Sequence, residues 1–354
     1  MRIAIDTHST QGRKTGIGSY TTNLLHALEH VAPEHEYVPL AWHRSLELRI
    51  DQRLRWQQIE LPRLARAAGV DLLHVTGFDA PLWKPCPVIL TVHDLIGALF
   101  PGNLPPISRF YWGRWLPRTI RRADKIVAVS EHTKRDMVHL LNFLPDQIDV
   151  VYPGVSEVYR PMGDEVALAQ VRQRYQLPHD MILYVGTLEP RKGLDTLISA
   201  FGQLASTIHH DLVIAGKKGW YTDPLFRRVK ELGLEQRVYF TGYVADEALP
   251  MLYNQASLFV FPSRYEGFGL PPLEAMACGV PVVYSDVASL PEVVGEAGLP
   301  VPPDDETALA AAILRVLSDE TLRETMRVRG LARAATFTWE AAARRMSDIY
   351  EAMR

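Results

Sequence analysis

A chain of 354 residues with 47% apolar and 22% charged residues has the composition of an ordinary globular protein and the length for two domains. A net charge of −3 gives no overall case for nucleic acid as a partner. Cys86 and Cys278 make no disulfide framework, no run of about 18 apolar residues predicts a membrane span, and the opening MRIAIDTHS reads as a strand rather than a leader. A reducing, cytoplasmic location fits this composition, and no transmembrane anchor is expected.

Apolar runs alternate with helical patterns, which predicts parallel sheets in α/β layers. In the first half, strands are expected at 2–6, 37–40, 72–74, 88–92, 126–129 and 148–151, and helices at 19–29, 62–68, 108–122 and 131–140. Gly16 and Gly18 open the first of these helices. A dinucleotide fingerprint requires glycine three residues after Gly18, where Thr21 stands, so a dehydrogenase is not expected. The loop reads either as backbone close to a diphosphate or an acceptor, or as a simple turn. His93 and Asp94 follow strand 88–92, at the carboxyl edge of a sheet, where open α/β sheets bind ligands. A buried histidine satisfied by carbonyls is the plain alternative.

Residues 109–125 form the one basic stretch and interleave arginines with Phe110, Tyr111, Trp112 and Trp115. Such a helix suits peripheral contact with an anionic membrane. Aromatic residues at helical spacing suit a core equally, and Pro117 interrupts the helix. A proline- and charge-flanked segment, 155–178, with a helical piece at 166–174, reads as the interdomain connection. Strands resume at 181–185, 212–215, 238–241, 258–261 and 282–284, with helices between them, and an amphipathic helix closes the chain at 339–353. The expected domains are therefore 1–165 and 166–337, followed by a terminal helix, 338–354.

The most informative stretch is EGFGLPPLE, from Glu266 to Glu274. Gly267 and Gly269 let backbone approach a ligand. Pro271 and Pro272 suit the first turn of a helix. A strand, a glycine-rich loop and a helix N-terminus then converge. Such a terminus favours phosphate, and the carboxylates can accept hydrogen bonds from hydroxyls, which together describe a nucleotide-sugar site. Arg191 and Lys192 follow strand 181–185, Gly186 and Pro190, again at a carboxyl edge. Arginine forks phosphate oxygens and lysine supplies a point charge. Lys217 is a second phosphate-side candidate. No Asp-x-Asp pair occurs to hold a divalent cation, so these cations and helix dipoles are expected to meet the leaving diphosphate without metal or cofactor.

This spacing, glutamate, seven residues, glutamate, resembles the signature of retaining glycosyltransferases of family 4. YVGTLEPRK (184–192), VIAGKKGW (213–220), TGYV (241–244), VYPGV (151–155), TVHD (91–94) and GIGSY (16–20) are similar to further landmarks of that family. The resemblance implies the GT-B fold: two Rossmann-like α/β domains facing across a cleft, with the last helix crossing back onto the first. It implies that Glu274 contacts the donor ribose and that Glu266 holds hydroxyls of the transferred sugar. It implies that the amides of Phe268, Gly269 and Leu270 face sugar and phosphate, and that main-chain atoms at Tyr243 and Val244 hold the nucleobase. His93 is implied to bond a hydroxyl of the donor sugar.

The activity so implied is a retaining, metal-independent hexosyl transfer to a glycan or polyprenyl-linked glycolipid in cell-surface polysaccharide assembly. The GTLEPRK variant most resembles mannosyltransferases that use GDP-mannose. A non-catalytic sugar-nucleotide-binding subunit and a nucleotide-sugar epimerase are the rival readings. Intact Glu266, Glu274, Arg191, Lys192 and His93 speak against the former.

Overall fold

The computed structural model describes residues 1–11, 16–42, 49–77, 79–99, 110–217, 219 and 222–354. The chain divides into two compact units, Met1–Gly154 with Phe337–Arg354, and Val155–Thr336. Among the described residues each unit carries one six-stranded sheet.

The first sheet comprises β1 (Arg2–Asp6), β2 (Glu36–Leu40), β3 (Leu72–Val75), β4 (Val88–Val92), β5 (Lys125–Ala128) and β6 (Ile148–Val150). They are all parallel, in the order β2-β1-β3-β4-β5-β6. Every residue of β3 and β4 is buried. That is why these strands read as near-continuous apolar runs rather than alternating ones.

Two π-helical turns, Trp56–Glu60 and Tyr111–Trp115, run directly into α-helices with proline at the second position, Leu61–Ala67 and Leu116–Ile120. Proline lacks an N–H and crowds the carbonyl four residues back. A widened turn before Pro62 and before Pro117 relieves that clash. The single helix expected at 108–122 is thus a π-helical turn followed by a short α-helix, and its first positions, 108 and 109, lie outside the described residues.

Both π-helical turns are tied to buried carboxylates. Trp56 Nε1 and Gln57 Nε2 donate to Asp6 at 3.1 and 2.9 Å. Gln58 Nε2 and Tyr111 Oη donate to Asp79 at 2.9 and 2.7 Å. Burial lifts the Asp6 carboxyl to about 6. In the basic stretch, Tyr111, Leu116 and Ile120 face the core, while Phe110, Arg114, Arg118, Arg121 and Arg122 are exposed. No helix among the described residues is long and apolar enough to cross a membrane.

The last helix, Trp339–Glu351, is capped by Thr338, whose Oγ1 accepts from Ala341 N at 3.1 Å. It buries Trp339, Ala342, Ala343, Met346, Ile349 and Tyr350, a helical stripe, against the first unit, largely along the helix Gly16–Val31. Tyr350 Oη lies 2.7 Å from His74 Nδ1, and His74 Nε2 lies 2.8 Å from Thr91 Oγ1. Burial holds His74 down at about 3, so the ring is neutral. Tyr350→Phe should therefore leave a buried ring nitrogen unpaired and destabilise the first unit by about 1–3 kcal/mol. Calorimetric unfolding of the variant beside the native protein checks this, and an unchanged unfolding free energy would contradict it.

The second sheet comprises β7 (Met181–Val185), β8 (Asp211–Ala215), β9 (Val238–Gly242), β10 (Leu258–Phe261), β11 (Val282–Ser285) and β12 (Leu299–Val301). Its order is β12-β11-β10-β7-β8-β9, the doubly wound Rossmann arrangement, again all parallel. The edge strand β12 was not expected. It is three residues long with Pro300 at its centre, and such a strand is tolerated only where one side of the backbone goes unpaired. The order reverses between β7 and β10, so the loops leaving their carboxyl ends splay apart and open a crevice.

Candidate functional site

The loop after β7 and the loop after β10 meet at this switch point. The β7 loop ends in a tight turn, Pro190–Lys192, closed by Gly193 at φ +63°. A side chain at Gly193 would collide with the carbonyl of Pro262, so glycine allows the two loops to touch. Arg264 clasps them further. Its backbone N donates to Arg191 O at 2.7 Å, and its guanidinium reaches Asp195 at 2.8 Å and Asp304 at 2.6 Å.

In the crevice, Lys192 Nζ sits 2.5 Å from Glu266 Oε1, and Arg191 Nη1 sits 3.2 Å from Glu266 Oε2. Arg191 Nε also donates to Glu189 Oε2 at 2.9 Å. Lys192 and Glu266 are 7% and 9% exposed, and the ammonium lies 5.4 Å from the centre of the Phe261 ring. Burial pushes the Lys192 ammonium below its ordinary value. Burial also pushes Glu266 up, but Lys192 and Arg191 beside it outweigh this and hold the carboxyl low. The result is a preorganised set of two cations and two carboxylates, in which Lys192 and Glu266 are buried and Arg191 and Glu189 are half-buried.

The segment after Glu266 leads into the helix Leu270–Ala277. Gly269 precedes it at φ +110°, a conformation costly for any side chain, and an added Cβ would come within 2.8 Å of Leu290 Cδ2. Ser289 Oγ lies 2.7 Å from Phe268 O and 3.0 Å from Glu266 O and shares its one proton between them. Gly267, Phe268 and Gly269 are buried and Leu270 is half-buried, so this loop delivers a helix N-terminus beside Glu266.

Glu274 lies on the same helix and accepts from Tyr253 Oη at 2.8 Å. Burial lifts its carboxyl to about 7, against the pull of the Tyr253 hydrogen bond and of the Tyr159 phenol nearby. The charge of Asp246 adds to that rise, and Tyr243 Oη donates to Asp246 at 3.3 Å. Tyr243 is 39% exposed and Val244 is buried. The backbone joins these loops along the carboxyl edge: Gly186 N donates to Ala215 O at 2.9 Å, and Gly216 N to Gly242 O at 2.8 Å. Lys217 is exposed, and its carbonyl accepts from Leu188 N at 3.2 Å. Lys218 and Trp220 of the VIAGKKGW stretch lie outside the described residues.

Residues 16–158 match the family described as Glycosyltransferase Family 4, and residues 171–333 match Glycosyl transferases group 1. The chain belongs to these glycosyltransferases. Over 255 residues it is 41% identical to the O-antigen chain mannosyltransferase B of Escherichia coli, covering 71% of this chain and 67% of that protein. It is 32% identical over 266 residues to the serotype-specific mannosyltransferase WbdA of the same organism, covering 73% of this chain but spanning 32% of that protein. The fold matches that of sucrose-phosphate synthase from Thermosynechococcus elongatus, at a TM-score of 0.78, 24% identity and 99% and 98% coverage of the two chains. The two α/β units are those of the GT-B fold.

In the first unit of this glycosyltransferase, His93 follows β4, and its Nε2 lies 2.7 Å from Thr76 O. A carbonyl can only accept, so Nε2 carries the proton and Nδ1 is an acceptor. Burial keeps the ring neutral. His93, Ile17 and Trp112 line a small cleft beside the ring. The helix expected from position 19 begins at Gly16. Gly16 is exposed, and Gly18 is needed because a side chain there would meet Ser9 O. Positions 12–15 of this loop lie outside the described residues.

Two groups of three potential metal ligands occur among the described residues, Asp180 with His209 and His210, and Glu34 with His35 and Glu351. Neither includes a residue of the Lys192–Glu266 cluster. The sequence reading missed Glu189, Arg264, Ser289, Tyr253 and Tyr159. Each acts through another residue, and all but Glu189, which lies within YVGTLEPRK, sit outside the motifs.

Proposed function

We propose that this glycosyltransferase moves mannose from GDP-mannose to a glycan or polyprenyl-linked glycolipid acceptor in O-antigen-like polysaccharide assembly, with retention at the anomeric carbon. The observation that carries the proposal is the buried Lys192–Glu266 pair, with the half-buried Arg191 on the same carboxylate, beside the N-terminus of the helix Leu270–Ala277. A donor diphosphate laid against it would meet two cations and a helix dipole, the groups that stabilise a leaving diphosphate without a metal. The names of the mannosyltransferase relatives support the choice of sugar.

In the proposed step, the bond from C1 of the mannose to the phosphate oxygen breaks. The acceptor oxygen bonds to C1 on the same face, and its proton passes to the departing phosphate. Arg191 and Lys192 take up the charge released. Glu266 holds both cations through one hydrogen bond to each oxygen, and a carboxylate has about four acceptor positions, so two remain for hydroxyls of the transferred sugar. Glu274 accepts the ribose hydroxyls, and main-chain atoms at Tyr243 and Val244 hold the base. His93 can take part only by accepting, since its proton is committed to Thr76 O.

Thermal-shift titration with GDP-mannose, UDP-glucose and ADP-glucose tests the donor. A ligand at 100 times its dissociation constant adds about 2.7 kcal/mol to native stability, and GDP-mannose should give the largest rise. A larger rise with another nucleotide sugar would reassign the donor.

A further inference from the structure

Glu274 has two phenols near its carboxylate, and neither belongs to the motif that contains it. Tyr253 closes the short helix Leu249–Tyr253, is wholly buried, and donates to Glu274 Oε2 at 2.8 Å. Its ring packs 5.5 Å from Phe259 of β10 and 5.8 Å from Tyr159. Tyr159 lies in the segment that opens the second unit, packs on the Tyr253 ring, and has the Glu274 charge beside its hydroxyl. That segment is pinned beside Tyr253 by the next residue, Asn254. Asn254 Nδ2 donates to Arg160 O at 2.9 Å, and Asn254 Oδ1 accepts from Met162 N at 2.8 Å.

Ordinary phenols stay protonated to about pH 10, and burial, with the Glu274 charge adding to it, pushes these two higher still. Both therefore stay protonated throughout the physiological range. Of about four acceptor positions on the Glu274 carboxylate, Tyr253 fills one, which leaves room for both hydroxyls of a vicinal diol. The groups facing this carboxylate are Tyr253, Tyr159, Asp246 and the Cys278 thiol. Burial and Asp246 favour the neutral acid, and the two phenols alone oppose them.

We infer that Tyr253 and Tyr159 are positioning residues for the donor nucleotide: Tyr253 fixes the Glu274 carboxylate through its hydrogen bond, and Tyr159 packs against Tyr253, so that the carboxylate accepts both ribose hydroxyls. This rests on the ribose role proposed for Glu274. It adds that nucleotide affinity is set from the chain segment that opens the second unit, through Tyr159.

The experiment measures donor affinity, KM and kcat from pH 6 to 8.5, using whichever of GDP-mannose, UDP-glucose and ADP-glucose the native protein binds best. The sugar-linked diphosphate of these probes does not titrate in that range. Native affinity should fall as pH drops below about 7, where Glu274 takes up its proton. Tyr253→Phe should weaken binding about 5-fold at pH 7, the worth of one hydrogen bond, and Tyr159→Phe should weaken it less. Their kcat at saturating donor should be unchanged. The pH midpoint should move upward, so that the loss shrinks at pH 8.5, and Glu274→Gln should abolish the pH dependence. Native-like affinity in both phenylalanine variants, or a loss that is uniform across pH, overturns the inference. Failure of the native protein to bind any of the three donors overturns the ribose reading beneath it.

Discussion

Lys192→Ala should lower kcat by about 10²–10³-fold, equivalent to roughly 2.7–4 kcal/mol of transition-state stabilisation. The ammonium is 7% exposed and paired at 2.5 Å with Glu266, so it acts in a site where water screens little. Its charge is fixed before the donor arrives, and no reorganisation is needed as the phosphate leaves. The substitution will also cost stability, because breaking a buried pair leaves one charge short of a partner. Arg191, 3.2 Å from the same carboxylate, limits that cost. Turnover at a temperature well below the variant's own unfolding midpoint separates the two effects. Native-like kcat under those conditions removes Lys192 from the mechanism.

Glu266→Gln and Glu274→Gln should fail in different ways. The Glu266 carboxylate holds both Arg191 and Lys192. Its neutralisation frees two cations from their partner and removes the acceptor proposed for the transferred sugar. Free nucleoside diphosphate should then bind as well as before or better, while kcat falls by about 10²-fold or more, the scale of losing one stabilising group. The Glu274 carboxylate sits with Tyr253 and Tyr159 and touches no residue of the cation cluster among its described hydrogen bonds. Its neutralisation should weaken free nucleotide and nucleotide sugar alike, about 5- to 30-fold for a hydrogen bond to a charged group of roughly 1–2 kcal/mol. An interaction made equally in ground and transition states raises KM and spares kcat. Calorimetric titration with the free diphosphate beside steady-state kinetics distinguishes the two. Equal damage to free-nucleotide binding from both substitutions contradicts this division of roles.

Much of the fold was legible because parallel strands buried on both faces leave unbroken apolar runs. Val88–Val92, Met181–Val185 and Leu258–Phe261 fall where those runs predict. The edge strand Leu299–Val301 was invisible, since a three-residue strand with a central proline carries neither length nor alternation. The π-helical turns before Pro62 and Pro117 were likewise hidden. Sequence shows that a proline interrupts a helix, and only packing decides whether the chain kinks, stops or widens.

At the candidate site, glycines, prolines and paired charges at loop positions announced the crevice, because each is costly elsewhere. What stayed hidden was partnership. That Glu266 holds Lys192, 74 residues away, or that Tyr253 holds Glu274, depends on strand order, which no local pattern encodes. The tautomer of His93 was hidden for the same reason, since it is fixed by a carbonyl 17 residues away in sequence.

The most direct test of the proposed chemistry is NMR of the product made from GDP-α-mannose and a polyprenyl-linked oligosaccharide acceptor, with a divalent-metal chelator present throughout. Turnover that survives the chelator and yields an α-mannosidic linkage is the expected result. A β linkage, or activity abolished by the chelator and restored by a divalent cation, would contradict retention or the metal-free role given to Arg191, Lys192 and the helix at Leu270.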